Sequence, residues 1–156
     1  MLTDYRDRLI DDFSDSLFQQ AFKQYFAELG LKVKNWAGLF AEMNGQEGNL
    51  AFVRTAADGS VIGFIQFIPI SFTSWFFEAA CGFIREFWVA EGHRGMGHGS
   101  ALLGLAEEHF RKNGIHAAIL TTDTAAGFYQ KRGYMRAEGC RAKNEDAVFF
   151  KQLASE

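Results

Sequence analysis

At 156 residues the chain suits one domain of ordinary size, long enough to bury roughly 70% of its unfolded surface without a metal or disulfide staple. Apolar residues at 48% and charged residues at 22% exclude a mostly disordered chain. A net charge of −3, with the acidic surplus in the first third, lacks the cationic footprint of a nucleic-acid binder.

Residues 1–10 read as an extended first strand. Phe13, Leu17, Phe18, Ala21, Phe22, Tyr25, Phe26 and Leu29 then recur at helical spacing on one face. Ser16 with Gln19 fits a capping box at the start of that helix, and Gly30 fits its stop. Residues 36–43 read as a second, shorter helix, ended at Asn44-Gly45. These aromatics fit core packing, and where two short helices meet they also fit a pocket wall. Residues 49–55 and 61–70 flank the turn signal Asp58-Gly59 and read as a hairpin, with Pro69 expected to end or bulge the second strand. Residues 71–80, with Trp75, Phe76 and Phe77, read either as strand or as an aromatic loop. Residues 82–89 read as a buried strand. A glycine-rich turn at 92–99 leads into helical periodicity as far as Asn113-Gly114. A strand over 117–121, a helix over 125–132 capped by Gly133, and a final hairpin of 134–138 with 147–153 complete the order.

The two cysteines, Cys81 and Cys140, form no metal-ligand spacing, and His109 and His116 have no neighbouring ligand set, so no metal site is expected. No apolar run reaches the roughly 18 residues of a membrane span, and the N-terminus lacks the pattern of a signal peptide. These features set the expectation of a single domain over 1–156, cytoplasmic, without nucleic-acid or membrane partners. The aromatic cluster at 75–77 would suit a homodimer contact, one wall of a pocket, or core.

The segment Glu91-Gly92-His93-Arg94-Gly95-Met96-Gly97-His98-Gly99-Ser100 joins a buried strand to a helix start. Unpaired N–H groups at a helix N-terminus, preceded by glycines, make an anion site, most naturally for phosphate or pyrophosphate. No Lys follows the glycines as a Walker A loop requires. Gly95, Gly97 and Gly99 are one residue short of the dinucleotide spacing. His93 and His98 could approach phosphates, although side chains turned to solvent are the simpler expectation.

What the loop does spell is R-x-x-G-x-G, at Arg94, Gly97 and Gly99. This resembles the coenzyme A pyrophosphate signature of the GNAT superfamily of N-acetyltransferases. The run Phe87-Trp88-Val89-Ala90-Glu91 before it is similar to that family's strand, without its usual proline. Phe128-Tyr129-Gln130-Lys131-Arg132-Gly133-Tyr134 resembles the second family pattern, an aromatic, Tyr, x, Lys, x, Gly, aromatic run. Thr122, beside Asp123, stands where many members carry Asn.

The resemblance implies an α/β (α+β) fold: a mixed, mostly antiparallel sheet of about six to seven strands flanked by about four helices. Its splayed parallel pair would bind coenzyme A. It implies acetyl-CoA as cosubstrate and direct transfer to an amine acceptor, a small molecule being favoured. Phe87, Trp88 and Val89 would contact pantetheine, with Thr122 and Phe128 also on the cofactor. Arg94, Gly95, Met96, Gly97, His98, Gly99 and Ser100 would hold the pyrophosphate through main-chain N–H groups. Tyr129 would protonate the leaving thiolate. Glu86, on the buried strand in alternation with Ile84 and Trp88, is the best candidate for the base; structural pairing is the alternative role, and Asp123 is a weaker candidate. An acyl-CoA-sensing protein without turnover is the competing function.

Overall fold

The computed structural model describes residues 4–73, 78–139 and 142–154. Among them are seven strands, four α-helices and one 3-10 turn. The strands are β1 (Tyr5–Ile10), β2 (Leu50–Ala56), β3 (Val61–Thr73), β4 (Glu78–Val89), β5 (Ala117–Thr122), β6 (Met135–Arg136) and β7 (Ala147–Gln152). The helices are α1 (Ser16–Leu29), α2 (Trp36–Asn44), α3 (His98–Lys112) and α4 (Ala126–Lys131). Backbone pairing orders one sheet as β1-β2-β3-β4-β5-β7-β6. β4 and β5 run parallel, pairing Gly82 with Ala118 and Phe83 with Ile119. β1–β2, β2–β3, β5–β7 and β6–β7 are antiparallel. This is the mixed, mostly antiparallel architecture expected from the sequence.

The chain divides into two compact units, Met1–Phe67 with Glu86–Ala106, and Ile68–Arg85 with Glu107–Glu156. In the first unit the apolar face of α1 meets β2, β3 and the end of β4 in an aromatic core. Phe18 and Phe22 lie at its centre, with Phe18 packing edge-on to Phe13, Phe40 and Phe64. Trp36 stacks on Phe40 across the first turn of α2, at 5.7 Å between centroids. Such offset and edge contacts add about 0.5–1.5 kcal/mol per pair beyond the area they bury. The sequence placed the α1 cap at Ser16; the cap is Asp15, whose Oδ1 accepts from the Phe18 N–H at 2.9 Å. Gln19 instead donates to the Phe13 carbonyl. A carboxylate at this position suits both the orphan donor and the helix dipole. Gly30 closes α1 in the left-handed conformation, with φ 74°.

Of the end or bulge expected at Pro69, the end does not occur: β3 continues to Thr73. The β2–β3 ladder reaches only to Phe67, opposite Leu50, so exposed Pro69 lies past the point where β2 would need its N–H.

In the second unit, Gly82 lets β4 lie directly under the Phe110 ring of α3; a Cβ there would overlap the ring. Buried Glu107 accepts from the Tyr134 hydroxyl at 2.8 Å and pairs with Lys151 at 3.1 Å. The final hairpin is shorter than the sequence implies, because β6 holds only Met135 and Arg136, opposite Phe150 and Phe149. Trp75, Phe76, Phe77 and Cys140 lie outside the described residues. No helix among the described residues is long and apolar enough to cross a membrane.

Candidate active site

β4 delivers the chain to the glycine loop. Ala90 continues the strand geometry by donating to the Ile62 carbonyl at 2.8 Å. Beside it, Gly63 of β3 faces the Trp88 carbonyl so closely that a Cβ would overlap the oxygen. After a 3-10 turn at Glu91–His93, Gly95 and Gly97 adopt φ 76° and 88°, angles that strain any L side chain. α3 then begins at His98, and its first helical bond runs from Ala101 N–H to the Gly97 carbonyl. The N–H groups of His98, Gly99 and Ser100 therefore precede the helical ladder, at the positive end of a 15-residue helix. A Cβ at Gly95 or Gly97 would meet nothing within 4 Å, so the approach to this helix end is open. Ser100 is exposed, and Met96 is 65% exposed. The residues present thus fit an anionic phosphate group.

Arg94 enters this loop as a brace. Its Nε donates to the Val89 carbonyl at 2.8 Å, and its Nη2 pairs with Glu28 of α1. Its own N–H reaches the Glu91 carbonyl at 3.4 Å. His98, expected to turn to solvent, is 2% exposed: Arg54 of β2 donates to its Nδ1 at 3.2 Å, and Tyr5 of β1 packs edge-on at 4.6 Å. A histidine one step past the loop lies on the helix face turned toward β1 and β2, where a fixed cation is already waiting.

On β4, Ile84 and Trp88 are buried and Glu86 lies between them on the same face, half-buried, with Phe87 on the other. The Tyr25 hydroxyl of α1 donates to Glu86 Oε1 at 2.9 Å, and the Tyr25 ring packs against Trp88 at 6.4 Å. Trp88 Nε1 is buried with no hydrogen-bond partner among the described residues. An indole N–H in that condition is where a ligand oxygen can be accommodated. Sequence reasoning did not pair Tyr25 with Glu86. The available signal was a hydroxyl on an otherwise phenylalanine-rich face, since a buried phenol needs a partner.

The second unit carries Thr122, Phe128 and Tyr129. Thr122 Oγ1 accepts from the Ala125 N–H at 3.0 Å, shaping the turn into α4. The Arg132 guanidinium stacks on the Phe128 ring at 3.8 Å. Tyr129 is 8% exposed, and burial pushes its phenol up to about 12, so it is a neutral O–H at physiological pH. Among the described residues no group of His, Cys, Asp and Glu is placed to hold a metal ion. Burial raises the Cys81 thiol, which makes it a poor nucleophile.

A strand, glycine loop and helix N-terminus in this order form a scaffold suited to a phosphate-bearing ligand. Residues 6–134 match the model of the acetyltransferase (GNAT) family. The chain belongs to that family. Among solved structures, a protein of Klebsiella pneumoniae assigned as an acyl-CoA N-acyltransferase superposes with a TM-score of 0.71 at 17% identity, covering 96% of this chain and 98% of its own. A predicted acetyltransferase of Clostridium acetobutylicum, solved with acetyl-CoA, gives 0.70 at 16% identity over 90% and 95%. A GNAT-family acetyltransferase of Staphylococcus aureus gives 0.67 at 12% identity over 96% and 100%. At these identities the likeness is one of fold. No curated protein matches the sequence significantly.

Proposed function

We propose that the protein transfers the acetyl group of acetyl-CoA directly to the primary amine of a small-molecule acceptor. The observation that carries the reading is the open N-terminus of α3 behind two positive-φ glycines, in a chain of the GNAT family. The N–H groups of His98, Gly99 and Ser100, with Gly95, Met96 and Gly97 before them, hold the pyrophosphate. Arg94 keeps the loop against the end of β4. Phe87, Trp88 and Val89 border the pantetheine, and Thr122 and Phe128 are assigned as further cofactor contacts.

Glu86 accepts the proton that the acceptor ammonium must lose before its nitrogen attacks the thioester carbonyl. A C–N bond forms, the C–S bond breaks, and the electron pair leaves on sulfur. Tyr129 then supplies the proton of the released thiol. A phenol near 12 is a weaker acid than an ordinary thiol near 8.5. Tyr129 therefore acts first as a hydrogen-bond donor to the developing thiolate, and completes the transfer because a thiolate left in a buried site is itself made more basic. The acidic first third of the chain supports a cationic acceptor.

The test is thermal unfolding with acetyl-CoA, against NAD and ATP, followed by thiol release with a panel of amines. A ligand at 100 times its Kd stabilises by about 2.7 kcal/mol, several degrees in Tm. A shift with acetyl-CoA alone and thiol release with an amine support the reading. Binding without turnover across the panel replaces it with an acyl-CoA sensor, and no binding at all removes it.

A further inference from the structure

The glycine loop is tethered at both ends by side chains. On its N-terminal side Arg94 grips the Val89 carbonyl and Glu28. On its C-terminal side the imidazole of His98 grips Arg54. Between the tethers lies Gly95-Met96-Gly97, whose glycines lose more backbone freedom on ordering than any other residue type.

The second tether is built for the purpose. Arg54 and Asp7 are cross-strand partners in the β1–β2 ladder. Their contact is bidentate, Nε to Oδ1 at 2.7 Å and Nη2 to Oδ2 at 2.9 Å, which fixes the guanidinium plane. That leaves Nη1 directed at His98 Nδ1. Arginine can only donate, so Nδ1 accepts and the proton of the neutral ring sits on Nε2. Tyr5 closes the ring edge-on from β1, and its face also lies 5.1 Å from the Arg54 carbon. His93 of the 3-10 turn approaches the imidazole at 6.0 Å between centroids. These four, Tyr5, Asp7, Arg54 and His93, are the titratable and charged groups facing His98 from β1, β2 and the turn.

We infer that the His98 side chain is a positioning residue, which through Arg54 and Asp7 holds the first turn of α3 and the glycines before it in the arrangement that receives a diphosphate. The inference rests on reading the loop as the coenzyme A site, and concerns the imidazole rather than the His98 main-chain N–H. Preorganising the loop removes ordering cost from binding, so its loss falls on affinity for the nucleotide end of acetyl-CoA rather than on acetyl transfer.

The experiment measures acetyl-CoA binding by calorimetry, and KM against kcat, for the wild type, His98→Leu, His98→Asn, Arg54→Met and the double variant His98→Leu/Arg54→Met. Leucine keeps the bulk and loses the acceptor; asparagine loses bulk and keeps an acceptor where Nδ1 stood. A hydrogen bond to a charged group is worth about a tenfold change in equilibrium constant. His98→Leu is expected to weaken acetyl-CoA binding about tenfold, with the change in KM much larger than that in kcat. His98→Asn should recover most of the loss, and the double variant should be no worse than the poorer single one. His98→Leu binding acetyl-CoA as tightly as wild type, or His98→Asn proving as weak as His98→Leu, overturns the inference while leaving the coenzyme A site intact. A wild-type protein that does not bind acetyl-CoA removes the loop reading, and the inference falls with it.

Discussion

Tyr25 and Glu86 are 61 positions apart in sequence, yet the phenol of α1 donates to the carboxylate of β4 at 2.9 Å. The bond ties the helix face that packs the aromatic core to the strand that leads into the glycine loop. It restricts the carboxylate to one orientation, which a flexible glutamate on a strand would not keep by itself. Tyr25→Phe keeps the ring contacts with Phe22, Phe26 and Trp88 and deletes only the hydroxyl. The expected result is a fall in kcat of about tenfold, the scale of one hydrogen bond to a charged group, with affinity for acetyl-CoA unchanged. Glu86→Gln should cost about 10²- to 10⁴-fold in the same assay. A Glu86→Gln enzyme with wild-type turnover would assign the carboxylate a structural role instead.

Tyr129 is predicted to matter for turnover and not for cofactor affinity. Tyr129→Phe leaves the packing against Phe128 and Tyr134 in place. It should lower kcat by about 10²-fold or more, while the thermal shift with acetyl-CoA persists. Because burial holds the phenol protonated up to about 12, no loss of rate below about pH 10 should trace to Tyr129. An alkaline limb in that range that disappears in Tyr129→Phe would contradict the assignment.

The His98 site also gives stability a pH dependence of definite sign. Its pKa lies below the ordinary 6.5, first through burial and then through Arg54 and His93, with Asp7 opposing them. The unfolded chain therefore takes up a proton at a pH where the folded chain does not, and protonation favours unfolding. Stability is full above 6.5, falls as the pH drops through that value, and levels off only where folded His98 is protonated too. His109 is depressed in the same direction by burial and Lys112, so it adds to the slope. Melting temperatures taken from about pH 8 to about pH 5 should decline, and His98→Asn should flatten part of that decline. An unchanged slope in His98→Asn would show that another group carries it.

Features that depend on a few neighbouring residues were legible in the sequence. Gly30 as a helix stop, the Asp58-Gly59 turn and Gly133 after α4 follow from local backbone requirements, and each is met by a positive φ at the glycine. The loop at 94–100 was legible because its glycines and the helix after it are contiguous. The Ser16 cap was misread because Asp15 and Ser16 are both competent caps, and only the entry angle of the chain selects between them. The strand end expected at Pro69 was misread because its cost on the β2 side depends on whether that partner is still present, which is a property of the ladder. Tyr25 with Glu86, and Asp7 with Arg54 and His98, were hidden for one reason: each links elements far apart in the chain, and periodicity reports which face a residue lies on but not what it meets there.

Glu107 provides the sharpest test of what holds the second unit together. It is 6% exposed, and its two carboxylate oxygens are shared among the Tyr134 hydroxyl, Lys151 at 3.1 Å and Arg111 at 3.9 Å. Burial first, then the Glu107 charge and the bond to it, push the Tyr134 phenol far above its usual range, which keeps it a donor at every accessible pH. These contacts join α3, β7 and Tyr134 just before β6, so no single one of them can leave without breaking the cluster. Removing one side of a buried pair costs more than the pair contributes, because the remaining charge has lost its compensation. Glu107→Ala leaves Lys151 and Arg111 facing a cavity and is expected to destabilise the protein by about 3 kcal/mol. Lys151→Met, which removes the cation from the other side but keeps its apolar stem, should cost less, because Tyr134 and Arg111 still serve the carboxylate. Chemical denaturation of the two variants decides the matter: equal losses would mean that packing around β7, and not the buried carboxylate, is what the unit depends on.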